Sequence, residues 1–380
     1  MAMHQFSFPT PISFGEGVRN LVGEHLRGQG LSRPLVVTDR GIAALPMREE
    51  LEAHLRSARL TPSLFSGVHG NPVKSQVVAG VAAYRADDAD SIVGFGGGAA
   101  LDVAKTIALL VSHPGDLFDY EDGKPDALPV DGPMPYWVAI PTTAGTGSEV
   151  GRSAVVSDDA THLKRIIFSP RLLARAVFAD PELTLGLPAP VTAATGMDAL
   201  SHNVEAYLAR GFHPLCDGIA LEGMRLVSRN LVTCVREPGN REARAAMLMA
   251  SMMGAIAFQK GLGIVHSCAH ALSAVADLHH GLACGIMIDH ALAHNVGAVP
   301  ERFQAMAQSV GLKSEAPDAF LRWLAELKGA VGIPPGLGGA GVTRDRFGKL
   351  VEVAIADGCH PSNPRACNRE TFVGVFTAAL

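Results

Sequence analysis

Over the first half of the chain, short β-branched and apolar runs alternate with longer stretches of helical period. PLVVTD (34–39), SLFSGV (63–68), SIVGFG (91–96) and WVAIPTT (137–143) read as strands. The first three are followed by helical patterns in MREELEAHLRSARL, VVAGVAAYRADD and LDVAKTIALLVS. Strands alternating with helices of this length predict βαβ units and a parallel sheet. Right-handed crossovers then predict helices on both sheet faces. After the Pro- and Leu-rich connection DPELTLGLPAP the β-branched runs stop, and helical spans are expected at 190–210, 217–231, 240–258, 264–276, 282–296 and 316–328. The pattern therefore predicts an α/β domain over 1–184 and an all-helical domain over 185–380.

Composition narrows the function classes. The 380 residues are 48% hydrophobic and 18% charged, enough apolar material for two cores, and the net charge is −5. With no basic run, neither nucleic acid nor an anionic membrane is an expected partner. The opening MAMHQFSFPTPISFG lacks the basic start and apolar stretch of a signal peptide, and Asp102 and Lys105 interrupt the best apolar run, so a cytoplasmic protein is expected. The six cysteines show neither CxxC spacing nor a disulfide framework and read as thiols in a reducing compartment.

Two features carry chemistry. In SIVGFGGGAALDVAK a strand, a glycine turn and a helix follow one another, and Gly94, Gly96 and Ala99 satisfy G-x-G-x-x-A. Gly96, Gly97 and Gly98 would let backbone approach a phosphate at the helix start, where free N–H groups and the positive dipole end favour anions. Asp39 closes a strand, where a carboxylate can accept hydrogen bonds from a ribose and repel a 2′-phosphate, favouring NAD; a helix N-cap before GIAAL is an equal reading. PTTAGTGSE (141–149) suits diphosphate or nicotinamide contacts, and equally a plain turn.

The second feature is a rhythm of metal-binding side chains. Asp198 and His202 stand four residues apart, as do His266 and His270, and His280 follows at the next turn signal. Residues four apart share a helix face. Imidazole nitrogen with carboxylate oxygen suits divalent iron or zinc, although an i, i+4 pair taken singly is commonly structural.

The motifs FSFPTPISFGEG, GGGAALDVAK, PTTAGTGSEV, ADPELTLGLP, TGMDALSHNVEAY, GLGIVHSCAHALSAVADLHHG and NPR (363–365) occur together and in order. In them the whole chain resembles the iron-containing (group III) alcohol dehydrogenases. The resemblance implies an N-terminal nucleotide-binding α/β domain with a parallel sheet and an all-α C-terminal domain, the architecture shared with dehydroquinate synthase. It implies Asp198, His202, His266 and His280 as ligands of Fe2+ or Zn2+, with His270 close by as a catalytic polar group that relays a proton. It places Asp39, Asn71, Gly97, Gly98, Asp102, Thr142, Thr143, Thr146, Ser148 and Lys164 along the NAD cleft, with Gly96 in the same loop. Reversible hydride transfer between NAD and a small alcohol, yielding its aldehyde or ketone, and a homo-oligomer, dimer or larger, are the implied function and assembly.

Departures from the family pattern fall near the pocket: Ala99 for a serine, His279 for a proline, Cys284 for an asparagine and Asp289 for a proline. Cys359 and His360 lie on a late loop that approaches substrate in similar proteins, and a simple surface turn is an equal reading. Two rival functions remain at this stage. One is a metal-independent keto-acid reductase resembling maleylacetate reductase, disfavoured by the full Asp/His/His/His set. The other is a non-catalytic protein that binds NAD and metal without turnover.

Overall fold

The computed structural model describes Phe6, Phe8 and residues 10–314 and 316–380. The described residues divide into two compact units, one of Phe8–Thr143 with Ser148–Thr184, the other of Leu185–Leu380 with Ala144–Gly147 and Phe6. The sequence reading ran the first domain unbroken from 1 to 184; the structure groups the tetrapeptide 144–147 with the helical unit instead.

The α/β unit contains strands β1 (Ile12–Phe14), β2 (Pro34–Asp39), β3 (Ser63–Val68), β4 (Ser91–Gly96), β5 (Tyr136–Pro141), β6 (Ser153–Ser157), β7 (Lys164–Phe168) and β8 (Ala176–Ala179). Among the described residues, six of them form one sheet in the order β1-β8-β5-β4-β2-β3. All of its pairings are parallel. β6 and β7 pair antiparallel as a separate ribbon, which the strand pattern did not predict. The helices are α1 (Val22–Gly28), α2 (Arg40–Ala43), α3 (Pro46–Ser57), α4 (Lys74–Ala86) and α5 (Gly98–Ser112).

Side-chain alternation explains why both sheet faces are covered. Val93 and Phe95 join Val36, Val138, Ile140 and Phe178 in a core with Val22, Leu26, Leu51 and Leu55 of α1 and α3. Residues of the other parity look the opposite way: a Cβ at Gly94 would lie 3.0 Å from Ala104 and 3.1 Å from Leu101 of α5. Central strands buried on both faces must read as continuous apolar runs, as SIVGFG does, and every residue of β4 is buried.

The helical unit contains α6 (Ala189–Leu208), α7 (Pro214–Arg236), α8 (Arg241–Ala257), α9 (Ile264–Ala276), α10 (His280–Leu292), α11 (Pro300–Ser309), α12 (Ala319–Val331), α13 (Phe347–Ala356) and α14 (Arg369–Ala378). α6 is buried almost continuously from Thr192 to Leu208, because α7, α8 and α10 pack around it. Its polar residues Asp198, Ser201, His202, Asn203 and Glu205 are therefore buried too. Buried polar groups persist only with partners that repay their desolvation, so α6 is where a functional site is expected. Among the described residues, no single helix is long and apolar enough to cross a membrane.

Candidate functional site

Asp198, His202 and Glu205 follow one another at i, i+4 and i+7 on α6, a spacing that keeps all three on one face. His266 comes from the first turn of α9 and His280 from the first residue of α10. The Nε2 atoms of His202, His266 and His280 lie 3.8, 3.8 and 3.5 Å from Asp198 Oδ1. Two segments 64 residues apart thus converge on one oxygen, as the implied ligand set requires.

Whether a metal fits is decided by two orphaned atoms. Asp198 Oδ1 and His266 Nε2 are buried and have no hydrogen-bond partner among the described residues. His266 Nδ1 is 2.6 Å from Glu205 Oε2. A carboxylate can only accept, so Nδ1 carries the proton, and in the neutral imidazole, the form that binds a metal, Nε2 is then an acceptor facing another acceptor. Two facing lone pairs in a buried site are unfavourable alone and favourable around a cation. Donors on a tetrahedral ion with bonds of 2.0–2.2 Å sit roughly 3.3–3.6 Å apart, close to the separations seen. Burial, reinforced by His266 and opposed by Asp198, pushes the His202 imidazole down to about 4, so it is neutral at physiological pH, the ligating form. The residues fit a divalent transition ion.

Glu205 is a residue that the sequence reading missed. Besides holding the His266 ring it accepts the backbone N–H of Val265 at 2.6 Å and of His266 at 3.2 Å. α9 has no side-chain cap from its own N-cap residue Gly263; Glu205 supplies that cap through tertiary contact. Burial disfavours charge on His266, but Glu205 outweighs it and the imidazole pKa lies above its ordinary value. The signal was legible in HNVEAY, since Glu205 follows His202 by three residues.

His270 does not join the group around Asp198. Its Nδ1 lies 2.7 Å from Asp357 Oδ2, and its ring stacks on His280 with centroids 5.2 Å apart. Asp357 Oδ1 accepts from Ser267 Oγ at 2.7 Å and from the Cys359 N–H at 2.9 Å. Burial would raise the Asp357 carboxyl, but His270 and these hydrogen bonds outweigh it and hold the carboxyl well below the usual range. Asp357 therefore fixes His270 with Nδ1 protonated and Nε2 as the acceptor. The late loop is thus part of the site through Asp357. Cys359 offers its backbone to that carboxylate, and His360 donates its N–H to Ser267 Oγ at 3.0 Å.

The nucleotide candidates lie on the α/β unit, except Thr146. β4 ends at Gly96 with φ +154, where a Cβ would meet Ala100 at 2.7 Å, so only glycine fits. α5 starts at Gly98, and its N-cap Gly97 supplies no side-chain cap, leaving first-turn N–H groups for an anion. Asp39, Arg40, Gly41, Val68, His69, Gly70, Gly97 and Ala99 line a pocket of about 350 Å³ at the carboxyl ends of β2, β3 and β4, the expected place in a parallel sheet. Asp39 Oδ1 accepts from the Ile42 N–H at 2.9 Å as the cap of α2, and the residue also lines the pocket. Asn71 lies on the bend after β3 and Lys164 opens β7. Thr142 donates its N–H to the Gly96 carbonyl at 3.0 Å, and Thr143 packs about 3.3 Å from where a Gly97 Cβ would sit.

Asp102 and Ser148 are engaged within the protein. Ser148 Oγ donates to Asp102 Oδ1 at 2.6 Å and the Val155 N–H donates to Oδ2 at 2.9 Å. The fully buried Lys105 donates to Ser148 Oγ at 2.8 Å and to the Ser153 carbonyl at 2.7 Å. These contacts hold the end of PTTAGTGSE and the start of β6 against α5. Within that motif Gly147, at φ +61, has its Cβ position 2.3 Å from Ala255 and 2.8 Å from the Ser251 carbonyl of α8. Its glycine thus serves a close backbone approach within the helical unit, which neither reading of this loop anticipated.

Comparison with known proteins covers both halves of the chain. A family model described as iron-containing alcohol dehydrogenase matches residues 9–181, and one described as Fe-containing alcohol dehydrogenase family, C-terminal, matches residues 192–380. The 1,3-propanediol dehydrogenase of Citrobacter freundii is 36% identical over 100% of this chain and 99% of its own length. The NAD-dependent methanol dehydrogenase of Bacillus methanolicus is 34% identical over 100% of both. The crystal structure of a 1,3-propanediol oxidoreductase superposes with a TM-score of 0.95 at 35% identity, covering 100% of both chains. With both halves matched and relatives aligned end to end, the chain belongs to the iron-containing alcohol dehydrogenase family.

Proposed function

We propose that the protein is a metal-dependent, NAD-linked alcohol dehydrogenase that transfers hydride reversibly between a small alcohol and its aldehyde or ketone. The observation that carries this reading is the buried Asp198 Oδ1, without a hydrogen-bond partner among the described residues and faced by three imidazole nitrogens at 3.5–3.8 Å. Asp198, His202, His266 and His280 would hold the ion. Bound divalent iron or zinc supplies a Lewis acid that polarises the substrate oxygen, and NAD supplies the hydride acceptor.

The chain's own residues do the rest. Glu205 orients His266, so that Nε2 faces Asp198. Asp357 orients His270, whose Nε2 takes the alcohol proton in oxidation and returns it in reduction. The uncapped first turn of α5 receives the diphosphate, and Asp39 accepts ribose hydroxyls and disfavours a 2′-phosphate. Small primary alcohols and diols are the substrate class this reading favours, because two full-length relatives are named for 1,3-propanediol and methanol.

The test is NAD reduction over a panel of alcohols, using metal-stripped protein resupplied with Fe2+ or Zn2+. Turnover of primary alcohols only with metal present is the expected result. Reduction of keto-acids by the stripped protein, with no response to alcohols, would overturn the proposal.

A further inference from the structure

One cluster of four donors differs by one residue from the four of the family pattern. The ligating atoms of Asp198, His266, His280 and Cys284 all fall within 4.8 Å of one another. Cys284 is one helical turn beyond His280 on α10, so both side chains leave the helix on one face. Its Sγ is 3.8 Å from His280 Nε2, and the side chain is fully buried. His202 is not one of these four; its Nε2 lies 3.8 Å from Asp198 Oδ1 and its ring stacks on His266 with centroids 4.6 Å apart. A second observation supports a cation in this space: Asp198 Oδ1, one of the four donors, is buried without a hydrogen-bond partner among the described residues.

We propose that Cys284 is a sulfur ligand of the active-site metal in this protein and that it turns the site toward zinc. The inference rests on the reading that a divalent ion binds against Asp198. Binding displaces the thiol proton to solvent, leaving a thiolate on the ion. A soft thiolate added to imidazole and carboxylate favours Zn2+ over the harder Fe2+. Cys268, also buried on α9, lacks this role: burial pushes its thiol well above the ordinary value, as for an inert core cysteine.

Two measurements on the holoprotein test this. X-ray absorption fine structure at the zinc edge of the wild-type protein should show one sulfur neighbour at about 2.3 Å; a shell of nitrogen and oxygen alone, at about 2.0–2.2 Å, overturns the proposal. Metal-stripped protein titrated with Co2+ should develop visible ligand-field bands and a near-ultraviolet sulfur-to-cobalt charge-transfer band. Cys284→Ser should lose the charge-transfer band, keep the visible bands and bind Zn2+ on the order of ten-fold or more weakly. Cys359→Ser should retain all of them. A charge-transfer band that survives Cys284→Ser and disappears in Cys359→Ser assigns the sulfur elsewhere and overturns the proposal. Wild-type protein that binds neither Co2+ nor Zn2+ overturns the metal reading itself, a different failure from cobalt bound without sulfur. If Cys284→Ser does not fold, the zinc-edge measurement decides alone.

Discussion

Glu205 on α6 grips α9 at two levels, accepting the Val265 N–H at 2.6 Å and the His266 imidazole at 2.6 Å. One carboxylate thus ends the helix and aims the ring. Glu205→Gln keeps the size but sets an amide NH2 against donors that need an acceptor. Metal affinity should fall on the order of ten- to a hundred-fold, measured by competition with a chelating indicator. Unchanged affinity would show that the ring is held by packing and that Glu205 is only a helix cap.

His270 and Asp357 should separate from the metal. His270→Ala is expected to lower kcat about 10²–10⁴-fold with metal content intact, the usual range for losing a general acid–base group. Asp357→Asn should lower kcat by on the order of ten-fold or more, with little change in the KM for NAD, because only the His270 orientation is lost. Metal loss from His270→Ala, measured by elemental analysis, would make His270 a ligand and defeat the assignment.

Asp39 caps α2 and is proposed to recognise the ribose, and two substitutions pull the two roles apart. Asp39→Ser retains a capping oxygen for the Ile42 N–H while removing the charge, so the melting temperature should hold and NADP use should rise relative to NAD. In such a variant the exposed Arg40, which lines the same pocket, would be left without the neighbouring carboxylate that disfavours a 2′-phosphate. Asp39→Ala should shift cofactor preference similarly and also cost about 1 kcal/mol of stability. If Asp39→Ser leaves the NAD to NADP ratio of kcat/KM unchanged, Asp39 is a cap alone.

Glu149 predicts a pH dependence of stability. It is buried, with Oε1 unpartnered among the described residues, and burial, partly opposed by Lys105, raises its carboxyl from 4.5 to about 7. Between those two values the folded chain keeps a proton that the unfolded chain has released. Its contribution is therefore full below about pH 4.5 and lost as pH rises through about 7. Denaturant melts of wild type and Glu149→Gln should diverge with rising pH, the variant gaining on the order of 2–3 kcal/mol by pH 8. A difference between them that is constant from pH 5 to 8 would show that Glu149 does not titrate in this window.

Much of this protein was legible without coordinates, for local reasons. SIVGFG reads as a doubly buried strand because Ile92 and Val93 are adjacent and so put apolar side chains on both faces, and the glycines after it read as a turn. Asp198 and His202 had to share a face because helical period places residues four apart together. Even Glu205 and Cys284 were readable, standing three residues after His202 and four after His280 on the same helices. Asp357 was not: it is 87 residues from the imidazole it holds, on a loop with no period to mark it. The same limit hid the role of Gly147, whose need for glycine comes from the backbone of α8. The sequence by itself determined which side chains each helix shows on one face, since that depends only on backbone period. Which faces meet, and so which carboxylate orients which imidazole, was decided only by packing α6, α9, α10 and the loop after α13 together, because those contacts join residues whose separation in sequence carries no information about their distance.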